Sequence, residues 1–490
     1  MPRQGAPGQL LAQPVLVQAD SQAASRCAKN AERSPEPAVQ KPGLSERHGL
    51  NLAPPLVAAT VLTMPSYHQP GTVLTDHVFS VPLDHARPDG EQIEVFAREV
   101  IAPGSESAEL PWLVFLQGGP GFAAQRPVGR ESWLDRALRD YRVLLLDQRG
   151  TGASTPATRQ ALARFPAAAA QADYLAHFRA DSIAADAELI RQQLTGGAPW
   201  SVLGQSFGGF CTVSYLSAAP GGLREAFITG GLPGLASTAD DVYRLTYRQV
   251  AAKNRAHYAR YPQDIERARQ IALRLADSPV TMPGGGSLSL ERFQALGHVL
   301  GSSTGSHRLH YLLEDAFAGQ DLGDDFLYRA EDSLRYGSAP LYAVLHEACY
   351  AQGAATRWSA QRVRAEFPEF DALAALASDE PVLFTGEMVY PWVLSHDPAL
   401  RPLAEAAELL AERTDWPALY DPGQLARTAV PVAAAIYFDD MYVPRELSLQ
   451  TAAAIHGLRA WVTSEYDHDG LRVSNGAVLD RLIAMARGDA

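Results

Sequence analysis

Short apolar runs of strand length recur along the chain, separated by amphipathic stretches and by Gly/Pro-rich turns. Val78 to Val81, stopped by Pro82, and Ile93 to Ile101 read as opening antiparallel strands. Trp112 to Leu116, Val143 to Leu146 and Trp200 to Leu203 are continuous apolar runs, the pattern of strands buried on both faces. Phe210 to Ala219 is helix-like and ends at Pro220. Residues 236 to 415 then turn mainly helical, with Arg/Ala/Leu-rich segments such as Asp264 to Ala276. The strand pattern returns in Val430 to Phe438 and Leu458 to Thr463, with a helix-like stretch, Leu447 to Ile455, between them. This alternation predicts an α/β fold, a mostly parallel sheet flanked by helices. Its core spans 64–235 and 416–490, and the insertion at 236–415 forms a large helical cap closing over one edge.

The most informative segment follows the third apolar run. Gly204-Gln205-Ser206-Phe207-Gly208 is a G-x-S-x-G between a strand and a helix, with Gly209 next. That arrangement is the nucleophile elbow of an α/β-hydrolase. The turn is so tight that residues beside the nucleophile must be small. Ser206 is the expected nucleophile.

A serine hydroxyl needs a general base, and the base needs an orienting acid. In this fold they follow in the order Ser, Asp or Glu, His. The run Val430 to Phe438 ends in Asp439-Asp440, and a carboxylate just past a strand is where the acid belongs. The two are adjacent and point to different sides. Asp440 is favoured, with Asp439 as the alternative. Only His456 and His468 come later. His456 precedes the last strand, at the edge remote from Ser206, whereas His468 follows it in the loop Glu465 to Gly470. His468 is the expected base.

Acyl transfer also needs donors for an oxyanion. Gln117-Gly118-Gly119-Pro120-Gly121 leaves the strand Trp112 to Leu116 upstream of the elbow. The N–H groups of Gly119 and Phe207 are the expected pair. Asp147 and Arg149, in Asp147-Gln148-Arg149-Gly150-Thr151-Gly152, read as structural partners beneath the site.

Taken together, Gln-Gly-Gly-Pro-Gly, Asp-Gln-Arg-Gly-Thr-Gly, Gly-Gln-Ser-Phe-Gly-Gly and the Asp…His tail resemble the proline iminopeptidase family of serine peptidases. The resemblance covers about residues 64 to 490 and is closest to longer bacterial members with an enlarged cap. Gln117 departs from the family's usual histidine, a change in loop hydrogen bonding outside the triad. The resemblance implies cleavage of an N-terminal residue, proline, from short peptides, and cap glutamates that bind the free amine. Glu347, in Leu345-His346-Glu347-Ala348-Cys349-Tyr350, and Glu387, in Gly386-Glu387-Met388-Val389-Tyr390-Pro391-Trp392, are the candidates. A carboxylate among aromatic residues would select a cationic terminus over a mid-chain amide. His346 reads as structural.

Composition narrows the partners. The 490 residues contain no second set of catalytic motifs. Net charge is −13, which argues against nucleic acid. No apolar stretch reaches membrane-spanning length. Three cysteines, Cys27, Cys211 and Cys349, fit a reducing, cytoplasmic setting. No metal-ligand spacing is present, and the reaction needs no cofactor. Residues 1–63, rich in Ala, Gln, Pro and Ser, read as a disordered extension, with Met64 as a possible true start. Pro54 and Pro55 argue against a signal peptide near Leu50 to Leu62. An esterase, lactonase or amidase on the same triad is the alternative. A non-catalytic binding protein is disfavoured because all three triad members are present.

Overall fold

Alternation within the apolar runs sorts their side chains onto two faces of one sheet. Val114, Leu116, Leu144, Leu146 and Val202 join the apolar cluster on one face. Leu113, Phe115, Val143, Leu145 and Leu203 join the cluster on the other. The computed structural model describes residues 61–130 and 132–490. The strands of the main sheet are β1 (Val61–Thr63), β2 (Tyr67–Gln69), β3 (Thr72–Pro82), β4 (Gln92–Ile101), β5 (Trp112–Leu116), β6 (Arg142–Leu146), β7 (Trp200–Gln205), β8 (Leu223–Thr229), β9 (Val432–Tyr437) and β10 (Arg459–Thr463). They form a ten-stranded sheet in the order β1-β3-β4-β6-β5-β7-β8-β9-β10, with β2 on β3. Pairing is antiparallel from β1 to β6 and parallel from β6 to β10. The direction of strand succession reverses at β5, a switch point whose C-terminal edge opens a crevice between flanking helices.

Helices cover both faces. On one, α1 (Ala180–Thr195) packs beside α2 (Phe207–Ala218), the helix that follows the elbow. The insertion between β8 and β9 opens with α3 (Ala239–Arg260). A capping box starts this helix: Thr238 and Asp241 each bond the other's backbone N–H. Further on lie α4 (Pro340–Leu345) and α5 (Ser359–Arg364). On the second face α6 (Ala477–Arg487) buries Leu479, Leu482 and Ile483. Cap and sheet share one continuous apolar cluster.

Several expectations need adjustment. The expected helix Phe210 to Ala219 begins earlier, at Phe207, because the elbow turns directly into it. The cap also contains two short ribbons, Val280–Thr281 with Ser287–Leu288 and Phe317–Ala318 with Asp321–Leu322, too brief to leave a period-2 signal. Residues 61–63, expected to be disordered, pair with His77 to Phe79 of β3. The rest of that expectation falls on residues 1–60, outside the described residues. Asp147 and Arg149 do not pair with each other. Asp147 holds Arg126, and Arg149 bonds Asp186 at 2.5 Å with both side chains buried. Among the described residues no helix is long and apolar enough to cross a membrane.

Candidate active site

Loops at the C-terminal ends of β5, β7, β9 and β10 carry the candidate residues. Ser206 sits between β7 and α2 with φ 56° and ψ −125°, a conformation that costs a non-glycine residue energy and persists only when its surroundings fix it. Its N–H bonds the Thr229 carbonyl at 3.0 Å. A Cβ at Gly208 would lie 1.9 Å from the Leu116 carbonyl oxygen, so any larger residue would push the elbow off β5. The loop after β5 lies directly against the serine: a Cβ at Gly118 would be 3.0 Å from Ser206 Cβ. Gly119 has φ 152°. Phe207 opens α2, where helical geometry leaves N–H groups without intrahelical acceptors. Gln117 is held through its carbonyl by Gln148 at 2.9 Å and through Oε1 by Arg472 at 3.1 Å.

Asp440 and His468, the expected acid and base, meet across β9 and β10. Asp440 is 3% exposed. One of its oxygens accepts the N–H groups of Tyr442 (2.8 Å) and Val443 (3.1 Å), and the other meets His468 Nδ1 at 2.7 Å. Asp439 is exposed. His456 bonds the Thr428 carbonyl at the start of the β9 side, away from this edge. With Nδ1–H donated to Asp440, the Nε2 of His468 keeps a free lone pair. The loop Gly230-Gly231 after β8 joins the two halves: a Cβ at Gly230 would lie 3.1 Å from His468 Nδ1, and one at Gly231 2.5 Å from the Ser206 carbonyl oxygen.

Burial alone would depress the His468 pKa. The charge and hydrogen bond of Asp440, aided by Glu387 and Asp469, outweigh it and hold the imidazole above its ordinary value. Only neutral imidazole accepts a proton, so activity should be lost as pH falls through that raised pKa. The rate of serine labelling by a fluorophosphonate should therefore show an acid limb above the ~6.5 of a free imidazole. A limb at or below that value would contradict the assignment.

The cap supplies the remaining wall. Glu387 is half-buried, and Tyr342 donates to it at 2.8 Å. Burial and then the Glu387 charge raise the pKa values of Tyr336, Tyr342 and Tyr442, so these phenols stay neutral around a carboxylate. Tyr342 stacks on Tyr336 at 4.9 Å and meets Phe122 of the β5 loop at 5.4 Å. Glu347 is placed differently. Its two oxygens accept the N–H groups of Ser359 (3.0 Å) and Ala360 (2.8 Å) at the start of α5. The two glutamates thus sit differently: Glu347 bonds the cap's own backbone, whereas Glu387 is half-buried and accepts the Tyr342 hydroxyl. Tyr336 and Tyr442 were not anticipated, since their positions depend on packing between distant segments.

Strand order, elbow and the Asp440–His468 pair define the class, an α/β-hydrolase, and the family model for the alpha/beta hydrolase fold matches residues 111–274. The chain is 50% identical over 412 residues to a proline iminopeptidase of Aeromonas sobria, covering 84% of this chain and 96% of that one. It is 35% identical over 446 residues to the proline iminopeptidase aneH of Aspergillus aculeatus, covering 89% and 98%. The chain belongs to the proline iminopeptidase family.

Proposed function

We infer that the protein is a serine aminopeptidase that releases N-terminal proline from short peptides with a free N-terminus. The observation that carries the specificity is Glu387, a half-buried carboxylate held by Tyr342 and close enough to bear on the His468 charge. An ammonium bound there would set the first residue's carbonyl at Ser206. His468 takes the proton of Ser206 as its oxygen attacks that carbonyl. The N–H groups of Gly119 and Phe207 stabilise the oxyanion. His468 then protonates the leaving amine, the C–N bond breaks, and an acyl-enzyme remains. Water, deprotonated by the same histidine, releases the free amino acid and restores the serine.

Aromatic walls suit the pyrrolidine ring of proline. The cap, taken as residues 236–415, lies over the site and restricts it to short substrates. The free buried thiols of Cys211 and Cys349 support a reducing, cytoplasmic setting.

Aminoacyl-naphthylamides with and without an N-acyl block test this reading. Pro-naphthylamide should be cleaved and its N-acetyl form rejected, because acetylation removes the cation that Glu387 holds. Equal turnover of the two would favour an esterase or amidase on the same triad.

A further inference from the structure

The catalytic loop is fastened to the cap at three consecutive residues. Lys253, on α3, forms an ion pair with Asp467. The N–H of His468 itself bonds the carbonyl of Gly301 at 3.2 Å. Asp469 accepts the Ser303 hydroxyl at 2.9 Å and the Ser303 N–H at 3.2 Å. Gly301 ends a 3₁₀ helix, Ala295–Gly301, that belongs to the cap.

The same cap segment supports the partner side of the dyad. Tyr442, whose N–H bonds Asp440, donates its hydroxyl to the His298 carbonyl. Its ring meets the His468 imidazole edge-on, with centroids 4.8 Å apart. A Cβ at Gly301 would lie 2.2 Å from the Tyr442 ring, so the cap backbone presses against the tyrosine that backs both acid and base.

Asp467-His468-Asp469 is a polar loop beyond the last strand, and no strand partner fixes its register. A loop of this kind is held by its side-chain and backbone partners. Its core-side bonds are those of His468 to Asp440 and of the Gly470, Arg472 and Val473 N–H groups to the loop carbonyls; the others come from cap residues more than 150 positions upstream.

We propose that the cap completes the catalytic base: Lys253 and Ser303 are positioning residues that hold Asp467-His468-Asp469 so that His468 reaches Ser206 while bonded to Asp440. A chain whose cap is displaced keeps its nucleophile but loses the group that activates it. This rests on His468 being the base.

The test uses the full-length protein with Lys253→Met, Ser303→Ala and the double variant, and Lys253→Arg as the conservative change. Two substrates are compared, Pro-naphthylamide and p-nitrophenyl acetate, which has no amine. Misplacement of a catalytic group by about 1 Å costs up to roughly 100-fold, so kcat should fall about tenfold in each single variant and about 100-fold in the double. The loss should be the same on both substrates, with KM changed by less than about twofold. Melting temperature should stay within about 2 °C, because partly exposed ion pairs contribute little stability. Lys253→Arg should recover most of the rate. Wild-type kcat in the single variants, or a loss confined to KM for the amine substrate, would overturn the proposal. Should the double variant fail to fold, the single variants decide by the same readout. Retained activity in His468→Ala would instead remove the base assignment itself, a distinguishable failure.

Discussion

Ser206→Ala and His468→Ala are each expected to lower kcat by roughly 10⁴–10⁶ while leaving the fold intact, because nucleophile and base act as one unit. Asp440→Asn should cost on the order of 10⁴. The amide keeps the side chain's volume but can present N–H to His468 Nδ1, which favours the tautomer whose Nε2 carries the proton and cannot accept another. Asp439→Asn should be silent, since Asp439 is exposed and Asp440 alone is bonded to His468. Steady-state kinetics with Pro-naphthylamide, beside circular dichroism of each variant, checks all four. A damaging Asp439→Asn with a harmless Asp440→Asn would reverse the assignment of the acid.

The second large effect separates the two cap glutamates. Glu387→Gln preserves shape and removes the charge facing the substrate's ammonium. Charge-assisted hydrogen bonds contribute about 1.5–3 kcal/mol, so kcat/KM for Pro-naphthylamide should fall roughly ten- to 150-fold. Turnover of p-nitrophenyl acetate should hardly change. Glu347→Gln should behave in the opposite way. Its new amide would bring a donor against the N–H of Ser359 or Ala360, and an unsatisfied buried donor costs about 1–3 kcal/mol of stability. Thermal melts should register Glu347→Gln, and the ratio of Pro-naphthylamide to ester turnover should register Glu387→Gln. A specificity loss in both variants would restore the paired-glutamate picture.

The placement of the candidate residues at the sheet edge was legible because strand, turn and helix are local signals. Continuous apolar runs marked β5, β7, β9 and β10, and each candidate group followed the end of one of them. The elbow's glycines signal a close approach, and Gly208 indeed lies against the Leu116 carbonyl. The choice between Asp439 and Asp440 was not local. It depends on which carboxylate turns inward to meet a histidine 28 residues away. Glu347 and Glu387 looked alike in sequence, each with aromatic neighbours. They differ because α5 needs an acceptor at its N-terminus, and Glu347, twelve residues earlier, supplies it. Asp147 and Arg149 were readable as buried and structural, but their partners, Arg126 and Asp186, lie on other segments.

The short strand β1 bears on how the chain behaves among its own copies. An exposed strand edge offers unpaired N–H and C=O groups to any neighbour able to complete the ladder. β3 runs eleven residues along the antiparallel side of the sheet, and its outer edge is covered in two stretches, by β1 at His77 to Phe79 and by β2 at Thr72 to Leu74. A chain begun at Met64 would keep β2 and lose β1, uncovering the stretch His77 to Phe79 of β3. Val61–Thr63 thus cover part of the β3 edge, at the side of the sheet remote from Ser206.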